Sequence, residues 1–350
     1  MKLKFNAAVL IKQNEPLRII KLSHNSDLQV GQILVKLISS GICGAQINEI
    51  RGLKGPDKFL PHMMGHEGYG EVVKVGPGVT KVRSGDLVVL HWRKGSGIDA
   101  TPAKFDSEIG IVGAGPVTTF SEYSIVSENR VTQLEQFIDP CSAALLGCGL
   151  TTAFGIVKNE IQIKNVKQAM VIGAGGLGLN IIQALKHHGV TNIIAVDNQL
   201  YKEKLSLEVG ADDFILCLDG NLIDLIKFKL PASFSADLVI DTTGNNLLIG
   251  QGFDVLAKSG KLVLVGQPKI GTKLELNNPL AFFDGKSIFA SDGGLTNPDF
   301  DIPALANLIN DKIIKTERII THKISLRDIN DGLEILKSGK SGRIVITHEQ

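Results

Sequence analysis

Cys43, His66 and Cys148 are the residues of this chain best suited to chemistry, and each sits in a glycine-rich turn. Two soft thiolates and an imidazole make a metal ligand set. Three protein ligands, rather than four, describe a zinc with one coordination position open, which is the arrangement of a catalytic site. Further along, Gly173-Ala-Gly175-Gly176-Leu177-Gly178 lies directly between an apolar strand and a helix. Gly173 permits the tight turn, Gly175 lets backbone approach a pyrophosphate, and Gly178 allows close helix–sheet packing. The helix N-terminus adds free N–H groups and a partial positive charge. The next strand ends in Asp197, 19 residues beyond Gly178, where a carboxylate can accept both hydroxyls of an adenosine ribose. It would also repel a 2′-phosphate, which favours NAD over NADP, although Lys202 and Lys204 nearby keep NADP open. Metal and dinucleotide together imply hydride transfer to or from an alcohol. The bland alternatives are buried thiols beside a hydrogen-bonded core histidine, a glycine turn that binds nothing, and Asp197 as a helix cap.

The elements that must position these groups come in two styles. Residues 1 to about 145 read as short strands broken by turns, at 32–38, 70–75, 86–90 and 121–126. Gly-Pro-Gly at 76–78 and Ser-Gly-Asp at 84–86 punctuate them. This predicts a partly open, all-β barrel. From about Cys141 the pattern alternates: strand 168–172, helix 178–188, strand 192–196, helix 199–209, strand 214–217 and helix 222–228. Strand 237–241, helix 246–257 and strands 261–265 and 286–290 complete the series. Such alternation predicts a doubly wound parallel sheet. A helix near 328–337 and a strand at 343–347 close the chain, and this tail is expected to rejoin the first domain.

A length of 350 residues allows two domains and a well-buried core. Lys plus Arg number 37 against 36 Asp plus Glu, which argues against a nucleic-acid or membrane-surface partner reached through bulk charge. No apolar stretch approaches the roughly 18 residues that span a bilayer, and no signal peptide is expected at MKLKFNAAVLIKQNE. Four cysteines without the dense spacing of a disulfide framework suit a cytoplasmic protein. Cys141 and Cys217 read as plain buried thiols.

The segments Gly41-Ile-Cys43-Gly44, Gly65-His66-Glu67-Gly68-Tyr-Gly70 and Leu146-Gly-Cys148-Gly, with Gly76-Pro-Gly through Gly85-Asp86, resemble the zinc-dependent alcohol dehydrogenase family of medium-chain dehydrogenases/reductases. The resemblance covers essentially the whole chain. It implies a GroES-like catalytic domain at 1–147 and 291–350, a Rossmann NAD-binding domain at 148–290, and an active site in the cleft between them. It implies that Cys43, His66 and Cys148 hold the catalytic zinc, with Glu67 able to approach the metal during ligand exchange. Trp92 and Phe120 would line the substrate pocket, and Arg343 would lie near the cofactor pyrophosphate. Backbone at Val265–Gly266 and in the segment 287–289, including Phe289, would hold the nicotinamide carboxamide. Relatives are homodimers or homotetramers, commonly joined through edge strands, which here means 286–290.

Two departures stand out. Family members often follow the first cysteine with Gly-Thr/Ser-Asp, the hydroxyl passing the alcohol proton toward solvent and the Asp steadying a ligand. Here Ala45 has no hydroxyl and Gln46 no charge, so zinc affinity is expected to fall. A water, a neighbouring hydroxyl of the substrate, or Asn48 and Glu67 could carry the proton instead. Residues 91–119 contain no cysteine, so the structural zinc of many relatives is not expected. The loop His91-Trp92-Arg93-Lys94 could grip an anionic substrate, or could simply be a solvated loop with Trp92 packed inward. The expected activity is transfer of a hydride between NAD(H) and a secondary alcohol, polyol or sugar-derived alcohol. The rivals are a zinc-free quinone or enone reductase of the same superfamily, and a nucleotide-binding relative without catalysis.

Overall fold

The computed structural model describes residues 3–348, in two compact units: 3–151 with 297–348, and 152–296. In the first, strands Leu3–Leu10, Arg18–His24, Lys104–Ser107, Gly110–Gly113 and His62–Met63 close into a five-stranded barrel. Phe5, Ile20, Leu22 and Phe105 alternate inward to fill it, with Phe5 and Phe105 edge to face at 5.2 Å. A second sheet of seven strands lies beside the barrel strands in sequence, centred on Gln32–Ile42. That strand is buried along almost its whole length, which explains its near-continuous apolar run. Gly76 N–H donates to the Gln32 carbonyl at 2.7 Å, and Gly78 takes φ +78°, so the Gly-Pro-Gly turn ends the neighbouring strand Gly68–Val75.

The tail supplies strand Arg343–Thr347, antiparallel to Gln32–Ile42 with Ile344 opposite Ile42. This register sets Arg343 beside the turn that carries Cys43. The helix Pro298–Asn310, capped by Asn297 and not marked by a clean sequence pattern because of Pro303, also belongs to this unit.

The second unit is a six-stranded parallel sheet. In chain order its strands are Gln168–Ile172, Asn192–Asp197, Asp213–Leu216, Ala236–Asp241, Leu256–Leu264 and Ser287–Ala290, and they lie in the order 3-2-1-4-5-6. This is the doubly wound arrangement of dinucleotide-binding sheets. Met170, Ile172, Ile194, Val239, Phe253 and Leu262 fill one face. One expectation is corrected here: the helix at 246–257 stops at Asp254, and Leu256 and Ala257 open a strand. Leu256 pairs with Ala236, and a register shift passes through Ser259, whose φ is +62°. Sheet hydrogen bonding across that bulge overrides the helical periodicity. No single helix among the described residues is long and apolar enough to cross a membrane.

Candidate active site

Three separate segments of the first unit deliver the ligand set. Cys43 ends the central strand as N-cap of helix Gly44–Ile50, His66 follows the barrel strand His62–Met63, and Cys148 precedes the helix Gly149–Gly155. Their ligand atoms lie within 4.8 Å of one another. His66 Nε2 is buried with no hydrogen-bond partner. An imidazole nitrogen left bare between two sulfurs fits a soft divalent ion, so these residues suit zinc. A Cys148 S–H donating to Cys43 holds Cys43 well below, and Cys148 well above, the ordinary thiol range. A bound cation would replace that proton.

Gln46, 1% exposed, bridges the two ends of the set. Cys43 N–H donates to its Oε1 at 2.8 Å, and its Nε2 lies 2.5 Å from His66 Nδ1. A metal on His66 Nε2 leaves the ring proton on Nδ1, which needs an acceptor. The amide can serve it only by turning its oxygen to the ring and releasing the Cys43 N–H.

Behind the ligands, Glu67 is fully buried. Arg343 Nη2 donates to its Oε1, and Gly149 N–H donates to Oε2 at 3.3 Å. Burial pushes the Glu67 carboxyl up, against the pull of Arg343. The glycines around the ligands make this pair possible. A Cβ on Gly41 would lie 2.6 Å from Glu67 Oε1, and one on Gly147 would lie 2.3 Å from the Leu90 carbonyl. Their packing role has no signature in the sequence, where they read only as turn formers. Arg343, expected near a pyrophosphate, is itself 3% exposed and engaged with Glu67.

Of the expected pocket residues, Trp92 is half-buried and its backbone N–H donates to the Gly147 carbonyl at 3.3 Å, next to Cys148. Phe120, also expected in the pocket, is fully buried among Ala8, Leu10, Ile42 and Met64. Asn48 lies on the helix after Cys43 and makes no side-chain hydrogen bond among the described residues. In the loop after Trp92, Lys94 pairs with Asp99 at 2.5 Å and Arg93 lies over the Trp92 ring at 5.9 Å, so local contacts spend much of their charge.

The second unit carries the other expected site. Gly173 takes φ +93°, and a Cβ there would lie 2.4 Å from Thr242 Oγ1. A Cβ on Gly178 would fall 1.8 Å from the Gly173 carbonyl, so only glycine lets the helix Gly176–His187 start against the turn. Gly175 faces open space, and no side chain caps the helix, so the amides of Gly176, Leu177 and Gly178 suit a pyrophosphate. Asp197 accepts from Ala174 N–H at 2.8 Å and Gln199 N–H at 3.0 Å, which fixes its carboxylate at the strand end. Lys202 is 2% exposed beside it, and burial pushes its ammonium below the usual lysine range, against Asp197. Its burial was not legible from its place in a polar helix. Val265 and Gly266 leave the next strands at the same edge, both donating to the Asp241 carbonyl, and Phe289 is half-buried opposite Val263.

Residues 29–136 match the alcohol dehydrogenase GroES-like domain, and residues 176–310 match the zinc-binding dehydrogenase domain. The chain is 27% identical to a class-3 alcohol dehydrogenase from Cereibacter sphaeroides over 382 residues, covering 98% of this chain and 100% of the relative. It is 28% identical to an NDMA-dependent alcohol dehydrogenase from Amycolatopsis methanolica, covering 99% of each. Its fold matches that of benzyl alcohol dehydrogenase from Acinetobacter calcoaceticus with a TM-score of 0.88 at 23% identity, over 99% of this chain and 100% of that one. With the two matched domains in order and the thiolate–imidazole set assembled, the chain belongs to the zinc-dependent alcohol dehydrogenase family of medium-chain dehydrogenases.

Proposed function

We propose that this alcohol dehydrogenase transfers a hydride between NAD(H) and a secondary alcohol of the polyol or sugar-derived class, with one thiolate-held zinc per chain. The observation that carries the reading is the convergence of Cys43, His66 and Cys148 around a partnerless His66 Nε2. When bound, zinc supplies Lewis acidity at an alcohol oxygen and NAD⁺ accepts the hydride.

The chain's own residues do the rest. Cys43, Cys148 and His66 would hold the metal, a three-residue set that would leave room for substrate. Gln46 orients the His66 ring, and Glu67 stands behind the ligands, tethered by Arg343 and Gly149. Ala45 gives the alcohol proton no side-chain hydroxyl to leave by; a neighbouring hydroxyl on a polyol supplies one, which favours that class. The Asp197 carboxylate favours NAD by charge repulsion of a 2′-phosphate. A second copy of the chain would cover the edge strand Ser287–Ala290 and the exposed Leu280, Phe282 and Phe283 just before it, making a homodimer or homotetramer. Four free cysteines suit the reducing cytoplasm.

Metal analysis combined with an NAD-linked screen of polyols, sugar phosphates and simple secondary alcohols tests this. The expected result is cysteine-dependent zinc and NADH formation with a polyol. Reduction of quinones or enones by a metal-free protein would establish the rival reductase. Tight NADH binding without turnover across the panel would establish the non-catalytic one.

A further inference from the structure

A second group of potential ligands lies in the first unit, apart from the cysteines: Glu49, Asp57 and His62, whose ligand atoms lie within 4.8 Å of one another. His62 Nδ1 lies 2.8 Å from the Met63 carbonyl, which fixes the ring proton there. Nε2 then faces Asp57 Oδ2 at 2.8 Å, a hydrogen bond the ring donates, and Glu49 Oε1 at 3.8 Å. The carbonyl-held Nδ1–H leaves Nε2 as the ring atom for a cation, which would displace the proton held between Nε2 and Asp57.

The loop that brings Asp57 there is built, not loose. Phe59 N–H donates to Asp57 Oδ1 at 2.8 Å, and Asp57 N–H donates to Gln13 Oε1 at 3.2 Å. Gln13 in turn donates to the Gly55 carbonyl at 3.1 Å. His62 and Asp57 side chains are each 11% exposed and Glu49 is 43% exposed, so two ligands are fixed and the third can adjust.

The charge is unbalanced. Among the described residues no lysine or arginine pairs with either carboxylate, and 3.8 Å is too long for Glu49 to accept a hydrogen bond from His62. Even with His62 protonated, two carboxylates leave a net negative charge. Ligands at about 2.2 Å from one ion can stand up to about 4.4 Å apart, so a modest closure by Glu49 completes the set.

We propose that Glu49, Asp57 and His62 form a second divalent-cation site, an oxygen–nitrogen set suited to a borderline ion such as Mn²⁺ or Zn²⁺. Its place gives it a task. Glu49 lies three residues after Gln46 on the helix that Cys43 begins, and His62 lies four residues before His66. A cation there staples together the two segments that bring the first cysteine and the histidine to the zinc. The site does not depend on the hydride-transfer reading.

The test is titration of the full chain, loaded with a single equivalent of zinc and cleared of excess, with MnCl₂, following the free Mn²⁺ signal by electron paramagnetic resonance. The expected result is one Mn²⁺ bound per chain and a higher Tm. Glu49→Gln, on the most exposed ligand, should weaken binding more than the ~10-fold that loss of an outer partner costs, and Asp57→Asn should do the same. A Cys43→Ser/Cys148→Ser variant should still bind. Failure of the wild type to deplete the free signal overturns the proposal. So does equal binding by Glu49→Gln, and so does loss of binding only in the cysteine variant, which would place the ion among the thiolates.

Discussion

The two sites expected from the sequence are built from opposite materials. The metal set is made of side chains from residues 43, 66 and 148, joined only by sheet and barrel packing. The nucleotide turn is made of backbone from one continuous segment, where a strand runs through glycines into a helix. A site of side chains tolerates change in the chain around it but none in its ligands. A site of backbone tolerates change of side chain only where a Cβ finds room.

The comparison breaks most decisively at the ligands. Cys148→Ser or Cys43→Ser should abolish tight zinc binding and dehydrogenase activity, because a thiolate ligand is removed from a three-ligand set. NADH binding, followed by fluorescence, should persist. Loss of both in one variant would mean that the two sites are not separately built.

Next in size is the pair behind the metal. Arg343→Met leaves Glu67 buried without its cation and should cost about 3–5 kcal/mol of stability. The double variant Arg343→Met/Glu67→Gln should recover much of that loss. Urea unfolding of both variants measures the difference, and a double variant no better than the single would show that Arg343 matters through packing alone.

Acid should weaken the first unit. Burial holds His91 and His348 neutral, with pKa values pushed down to about 4 from 6.5. The unfolded chain therefore binds protons first as pH falls. Stability is complete above about 6.5 and drains toward 4, by about 2 kcal/mol for each histidine at pH 5. Urea midpoints at pH 7.5 and pH 5 check this, and His348→Asn should halve the loss.

The finest distinction lies within the ligand set. Gln46→Glu offers oxygens to both the Cys43 N–H and a His66 Nδ1–H, so zinc affinity should rise about tenfold. Competition with a chromogenic chelator reads it. Unchanged affinity would mean that Gln46 already presents its oxygen to the ring.

Much of this was legible before the fold was known. The alternation of apolar strands and helices from residue 168 onward marks a parallel sheet, and Gly173 and Gly178 mark its turn, because those features obey local rules of period and sterics. The helix that overran into Leu256 failed where sheet pairing outcompeted a local period. The barrel strands Leu3–Leu10 and Arg18–His24 pair with each other, yet no strong turn dipeptide separates them to mark a hairpin in the sequence.

By itself the sequence determined the donor atoms, the glycines of the nucleotide turn and the acid that follows it, since each is a property of residue type or short spacing. Only the tertiary structure decided which groups meet. It buried Phe120, engaged Arg343 with Glu67, set Gln46 between Cys43 and His66, and drew Glu49 and Asp57 to His62. Such contacts join residues up to hundreds of positions apart, and the packing that creates them leaves no periodic trace in the chain.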